Sequence, residues 1–148
     1  MSNVARVAGQ AANTLSKPLD VEEVFSTYLY TGSNTLPLVQ TTGIDGSEGA
    51  LVWIKQRNAA RQHILFDTEQ DTNLDSSDTR AGQTSHDTTI TSTGFSLNNG
   101  DSKYNDGTTP GEYASWTFLK SKRFFDIQTY ISPFFASIII PAPPSALN

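Results

Sequence analysis

The chain has 148 residues, and fifteen Asp and Glu against ten Lys and Arg leave a net charge of −5. With a pI of about 4.8 it offers no counterion release at a phosphate backbone, which excludes general nucleic-acid binding. There is no cysteine and hence no disulfide framework, but one domain of this length buries about two thirds of its unfolded surface without one.

Residues 1–23 are small and polar, with Ala5, Ala8, Gly9, Ala11, Ala12 and Asn13 in sequence. Such a composition cannot order in isolation, and the segment reads as a flexible N-terminal docking arm that contacts a partner through Val4, Val7 and Leu15. It is not a signal peptide, because no unbroken apolar stretch follows Arg6. Pro18 stops any helix before it, and Asp20–Val24 fits one helical turn.

From Phe25 the pattern is β. Phe25–Tyr30 is a strand candidate, and Leu36–Thr41 is a second, short one interrupted by Pro37. Gly43–Gly49 is a loop. Ala50–Gln56 and Gln62–Asp67 form a hairpin, with Trp53, Ile64 and Phe66 expected to cover a core. Thr68–Asp87 is polar and reads as a long loop.

Thr88–Ser92 and Gly94–Leu97 are two short strands, the second bringing Phe95 to the core. Asn98-Asn99-Gly100-Asp101 and Asn105-Asp106-Gly107 are turns. Glu112–Lys120 alternates, and the larger set of Ala114, Trp116 and Phe118 is expected inward with Tyr113 on the other face. Short strands at regular spacing with turn punctuation predict an all-β sandwich or jelly roll over residues 24–123.

Residues 124–148 read as a final strand followed by an apolar, Pro-rich C-terminal tail. Its apolar run holds Phe134, Phe135, Ile138, Ile139 and Ile140, candidate assembly contacts, and is too short to cross a bilayer as a helix. Phe25–Tyr30 and Phe125–Tyr130 echo each other, with Phe and Tyr at the same separation.

Few constellations suggest chemistry. Asp67, Glu69, Asp71, Asn73, Asp75 and Asp78 approach calcium-loop spacing, but Thr72 replaces the required glycine and Asp78 the bidentate glutamate. No zinc ligand set, no Gly-x-Ser-x-Gly elbow and no pairable glycosidase carboxylates stand out. No catalytic residue, cofactor or metal is therefore expected. Tyr104, between two turns, is the aromatic expected to be exposed, and with Asp71 and Asp101 it forms a candidate glycan contact.

Four ordered blocks carry a resemblance: Leu51–Arg57 (LVWIKQR), His63–Asp67 (HILFD), the TSTGFSL segment ending at Leu97, and Tyr113–Asp126 (YASWTFLKSKRFFD). They resemble a domain of unknown function that recurs in virion proteins of tailed phages, notably marine and cyanobacterial ones. The resemblance implies a concanavalin-like sandwich in tail fibres or other appendages and no enzymatic activity.

The combined expectation is a phage virion structural protein, a tail-fibre, appendage or adaptor component assembled in the host cytoplasm. Its partners would be other virion proteins and sister copies in a homo-oligomer, trimeric in a fibre, with neither nucleic acid nor membrane insertion. Two alternatives share the sequence features: a host-surface glycan-binding module and a capsid decoration protein.

Overall fold

A computed structural model describes residues 18–79, 81–82 and 87–130. The Asp20 carboxylate accepts the Glu22 amide at 3.1 Å and opens the single turn α1 (Val21–Val24). This is N-capping, with Glu22 and Glu23 in the first turn. At Phe25 the backbone becomes extended, and among the described residues eight strands follow. They are β1 (Phe25–Thr31), β2 (Leu38–Thr41), β3 (Ala50–Gln56), β4 (Ile64–Asp67), β5 (Thr72–Asp75), β6 (Thr88–Thr91), β7 (Gly94–Leu97) and β8 (Glu112–Leu119).

They form two antiparallel sheets, ordered β1-β8-β3-β4-β5 and β2-β7-β6, so the fold is an all-β sandwich. The first and last strands pair over their whole length, from Phe25 opposite Phe118 to Thr31 opposite Glu112. β3 pairs β8 on its other side, setting Trp53 opposite Trp116. β3 and β4 make the expected hairpin.

The core between the sheets contains Tyr30, Val52, Ile54, Ile64, Phe95, Leu97, Tyr104 and Tyr113. Phe66 is buried with them. Gly94 permits the close approach of β7 to β2: its φ is 153°, and a Cβ there would lie 2.1 Å from the Gln40 carbonyl oxygen.

The connection between β7 and β8 folds over one end of this core and is bonded to it at several points. The Tyr30 hydroxyl donates to the Tyr104 carbonyl at 2.8 Å. The Tyr113 hydroxyl donates to Ser102 O at 2.9 Å and accepts the Asp106 amide at 2.8 Å. Asn105, fully buried, accepts the Ser33 amide and donates to Asn99 O. The buried Tyr30 and Tyr113 hydroxyls and the Asn105 amide are thus paired, as burial of such groups favours, whereas the buried Tyr104 hydroxyl has no hydrogen-bond partner among the described residues.

Three expectations are corrected. Trp53, Trp116 and Phe118 do not face the core. In β3 the buried residues are Ala50, Val52, Ile54 and Gln56, and in β8 Tyr113, Ser115 and Thr117 point inward. The reason is space: Tyr113 stacks on Tyr30 with centroids 5.0 Å apart and planes at 16°. Ser115 and Thr117 leave the remaining volume to Val52 and Ile54 on the neighbouring strand.

Tyr104, expected to be exposed, is 2 % exposed, because the turn that carries it folds back onto the core. The polar stretch 68–87 is not wholly a loop. It contains β5, which pairs with β4 through Leu74 opposite Leu65. The arm residues Val4, Val7 and Leu15, and the tail residues Phe134, Phe135, Ile138, Ile139 and Ile140, lie outside the described residues.

Candidate functional site

Because Val52 and Ile54 point inward, the alternate residues of the same strand must point outward. The outer face of the five-stranded sheet therefore receives Trp53 from β3, Trp116 from β8 and Leu65 from β4, aligned in one row by register. A second row runs from Phe25 through Phe118 to Leu51. All of these side chains are half-buried, and Leu29, at the β1 margin of the same face, is 57 % exposed.

The aromatic groups of this face touch in two sets. Trp53 lies 5.5 Å from Trp116, with planes at 57°. Its indole Nε1 donates to Nδ1 of His63 at 2.8 Å, which places the imidazole proton on Nε2 in the neutral ring. The bond fixes the Trp53 rotamer. The second set is Phe118 flanked by Phe25 at 5.0 Å and Phe125 at 5.4 Å. Tilted contacts of this kind favour aromatic rings over parallel face-to-face stacking.

Phe125 reaches the face because the chain after β8 turns back. Ser121 and Phe125 form an isolated bridge, and Lys120 Nζ contacts Glu69 Oε1 at 2.6 Å and Asp126 Oδ1 at 3.7 Å. The hydrogen bond to Glu69 raises the Lys120 pKa; desolvation opposes it, and the charges of Glu69 and Asp126 add to the rise. Lys55 also belongs to the outer face, but its ammonium donates to the carbonyls of Gln56, Ala59 and Arg61 at the sheet's end.

At the end of the sandwich away from Lys120, a small cavity of about 30 Å³ is lined by Ile64, Asp75, Asp78, Asp87, Asp101, Lys103 and Tyr104, among others. Lys103 Nζ is 3.0 Å from Asp75 and 3.9 Å from Asp101. Burial, and then the negative charge of Asp87, push the Tyr104 phenol well above its ordinary pKa.

Of the candidate glycan contacts, Asp101 and Tyr104 meet in this cavity, whereas Asp71 sits exposed at the β4–β5 turn and does not line it. Tyr104 presents no face to solvent. Asp67, the first residue of the calcium-like run, is committed to the turn: its Oδ1 accepts the Glu69 and Gln70 amides. Among the described residues no group of His, Asp and Glu is arranged to hold a metal ion.

Sequence reasoning named Trp53, Trp116 and Phe118 but put them on the wrong face, and it missed Phe25, His63 and Phe125 as their neighbours. A signal for the correct face was present. Lys55 follows Trp53 by two residues and Lys120 follows Phe118 by two, so a strand burying the aromatics would have carried each lysine toward the core side.

A family model matches residues 20–124, spanning α1, all eight strands and the start of the turn that carries Phe125. Its description is "Domain of unknown function (DUF7483)". The chain belongs to this family. No curated protein and no solved structure shows a significant match. Both aromatic sets on the outer face, except for Phe125, fall inside the matched region. The outer aromatic face is thus built almost wholly from the family domain.

Proposed function

We propose that this protein is a structural component of a tailed-phage particle, in a fibre, appendage or adaptor, and that it acts by docking rather than by catalysis. The supporting observation is the placement of its largest apolar side chains. Trp53, Trp116, Phe25 and Phe118 lie on the outer face of the five-stranded sheet, while the inner face of β8 uses Tyr113, Ser115 and Thr117. Aromatic residues on an open face, with few charges among them, have the composition of a protein contact core. The tailed-phage assignment itself rests on the sequence blocks at Leu51–Arg57, His63–Asp67 and Tyr113–Asp126.

On this reading the outer face meets another particle protein or a sister copy. A concanavalin-like or jelly-roll description of the sandwich belongs to the same proposal. Immunogold electron microscopy of purified particles, with antibody to this chain, tests it. Label on the tail or fibres supports an appendage component, label over the head replaces it with a capsid decoration protein, and no label removes the particle assignment.

A second reading is a host-surface glycan-binding module. Trp53 and Trp116 favour it, since indole faces on an open sheet can stack on sugar rings. The Tyr104–Asp71–Asp101 contact does not, because Tyr104 is buried. A glycan array on which Trp116→Ala abolishes a clear wild-type signal would establish it in place of protein docking.

A further inference from the structure

The two sheets end in four edges of very different character. β5 has four residues, ends in Asp75 and lies between Asp71 and Asp78, so it is short and anionic. β2 and β6 also have four residues each, and β2 follows Pro37. β1 has seven residues, Phe25-Ser26-Thr27-Tyr28-Leu29-Tyr30-Thr31, with neither charge nor proline. Short length, charge and proline are how edges avoid pairing with other chains. β1 carries none of them.

The backbone of β1 can be assigned by direction. Gly32 N–H donates to Gly111 O at 2.8 Å, one step beyond the pair Thr31 and Glu112. Hydrogen-bonded pairs alternate along an antiparallel ladder, so Ser26, Tyr28 and Tyr30 turn their N–H and C=O toward β8. Thr27, Leu29 and Thr31 turn theirs away from the sheet. All three are exposed, and among the described residues β1 pairs with no strand on that side.

We propose that β1 pairs antiparallel with β1 of a second copy of this chain, across a two-fold axis at Leu29. In that register Leu29 faces its twin and Thr27 faces Thr31 of the second copy. Every outward N–H and C=O of the three residues then gains a partner. A register centred on Thr27 would leave Thr31 outside the ladder. No charge faces a like charge, and the two exposed Leu29 side chains cover each other on the outer face.

The seam joins two five-stranded sheets into one and makes their aromatic outer faces continuous. A two-strand seam is smaller than a standard interface of roughly 1,600 Å², so the dimer is concentration-dependent. The proposal specifies the oligomer in the assembly reading, yet it stands if the protein is absent from particles.

Sedimentation velocity of the full chain over a wide concentration range tests it, with site-directed crosslinking. The wild type is expected to pass from monomer to dimer. Leu29→Lys, which brings two ammonium groups together, weakens association at least about tenfold with unchanged circular dichroism. In a chain without cysteine, Leu29→Cys gives a disulfide dimer under mild oxidant. Hydrogen-bonded antiparallel pairs hold Cα atoms about 5.5 Å apart, within the disulfide range. Thr27→Cys does not crosslink alone but does when mixed with Thr31→Cys. A wild type that is monomeric throughout overturns the proposal. So does a dimer unaffected by Leu29→Lys, or crosslinking of Thr27→Cys alone as strong as that of Leu29→Cys.

Discussion

The two faces of β3 and β8 use the same strands for different ends. Their inner face is close-fitted and bonded: Val52 and Ile54 are fully buried, and Tyr113 spends both hydroxyl functions on the β7–β8 connection. Their outer face carries more aromatic mass, in Trp53, Trp116 and Phe118, and leaves all of it half-covered. On the proposed docking reading, alternate residues of one strand separate stability from contact. Mutations one position apart should divide accordingly.

The largest effect is expected from cutting the inner side. Phe95→Ala removes a fully buried ring and should cost about 3 to 5 kcal/mol of unfolding free energy, and Ile54→Ala about 2 to 5 kcal/mol, in urea titrations. Trp116→Ala, on the outer face, should cost less than either although it deletes more atoms, because its ring is already part-solvated. An Ile54→Ala cost no larger than that of Trp116→Ala would erase the distinction between the faces.

Next is Tyr113→Phe, which keeps the ring stacked on Tyr30 but strands the Asp106 amide and the Ser102 carbonyl. About 1 to 3 kcal/mol should be lost, with hydrogen exchange increasing first in residues 98–111. Smaller still is Trp53→Phe, which removes the bond to His63 at a cost of about 0.5 to 1.5 kcal/mol.

Alkali sharpens the comparison from the inner side alone. Burial raises the pKa of Tyr30 and Tyr104, and that of Tyr113, above the ordinary phenol value. The folded state therefore holds these protons where the unfolded chain releases them. Their contribution is complete below the unfolded value of about 10 and is lost as pH rises beyond it. Phenolate absorbance from these three residues should appear together with unfolding, and earlier ionisation of the native protein would contradict their burial.

Much of this was legible in the sequence, but not the part that decides the site. β1, the β3–β4 hairpin, β7 and β8 show themselves through alternation and bounding turns. β5 does not, because Thr72-Asn73-Leu74-Asp75 has one apolar residue and exists as a strand through its pairing with β4. That Trp53 and Trp116 share a face is decided by register, which sets opposite each other two residues 63 positions apart in the chain. Size favoured burying the tryptophans. Tyr104 escaped because two turn motifs suggest exposure, whereas its burial follows from the Tyr30 hydroxyl reaching its carbonyl from a strand far away in sequence.

Hydroxyl-radical footprinting of the free chain and of purified phage particles tests the proposed docking face most directly. The two tryptophans, the only ones in the chain, both lie on it. Trp53 and Trp116 should react in the free chain and become protected in the particle, while Val39, exposed on the other sheet, keeps its reactivity. Unchanged tryptophan reactivity in particles that contain the chain would contradict docking through this face.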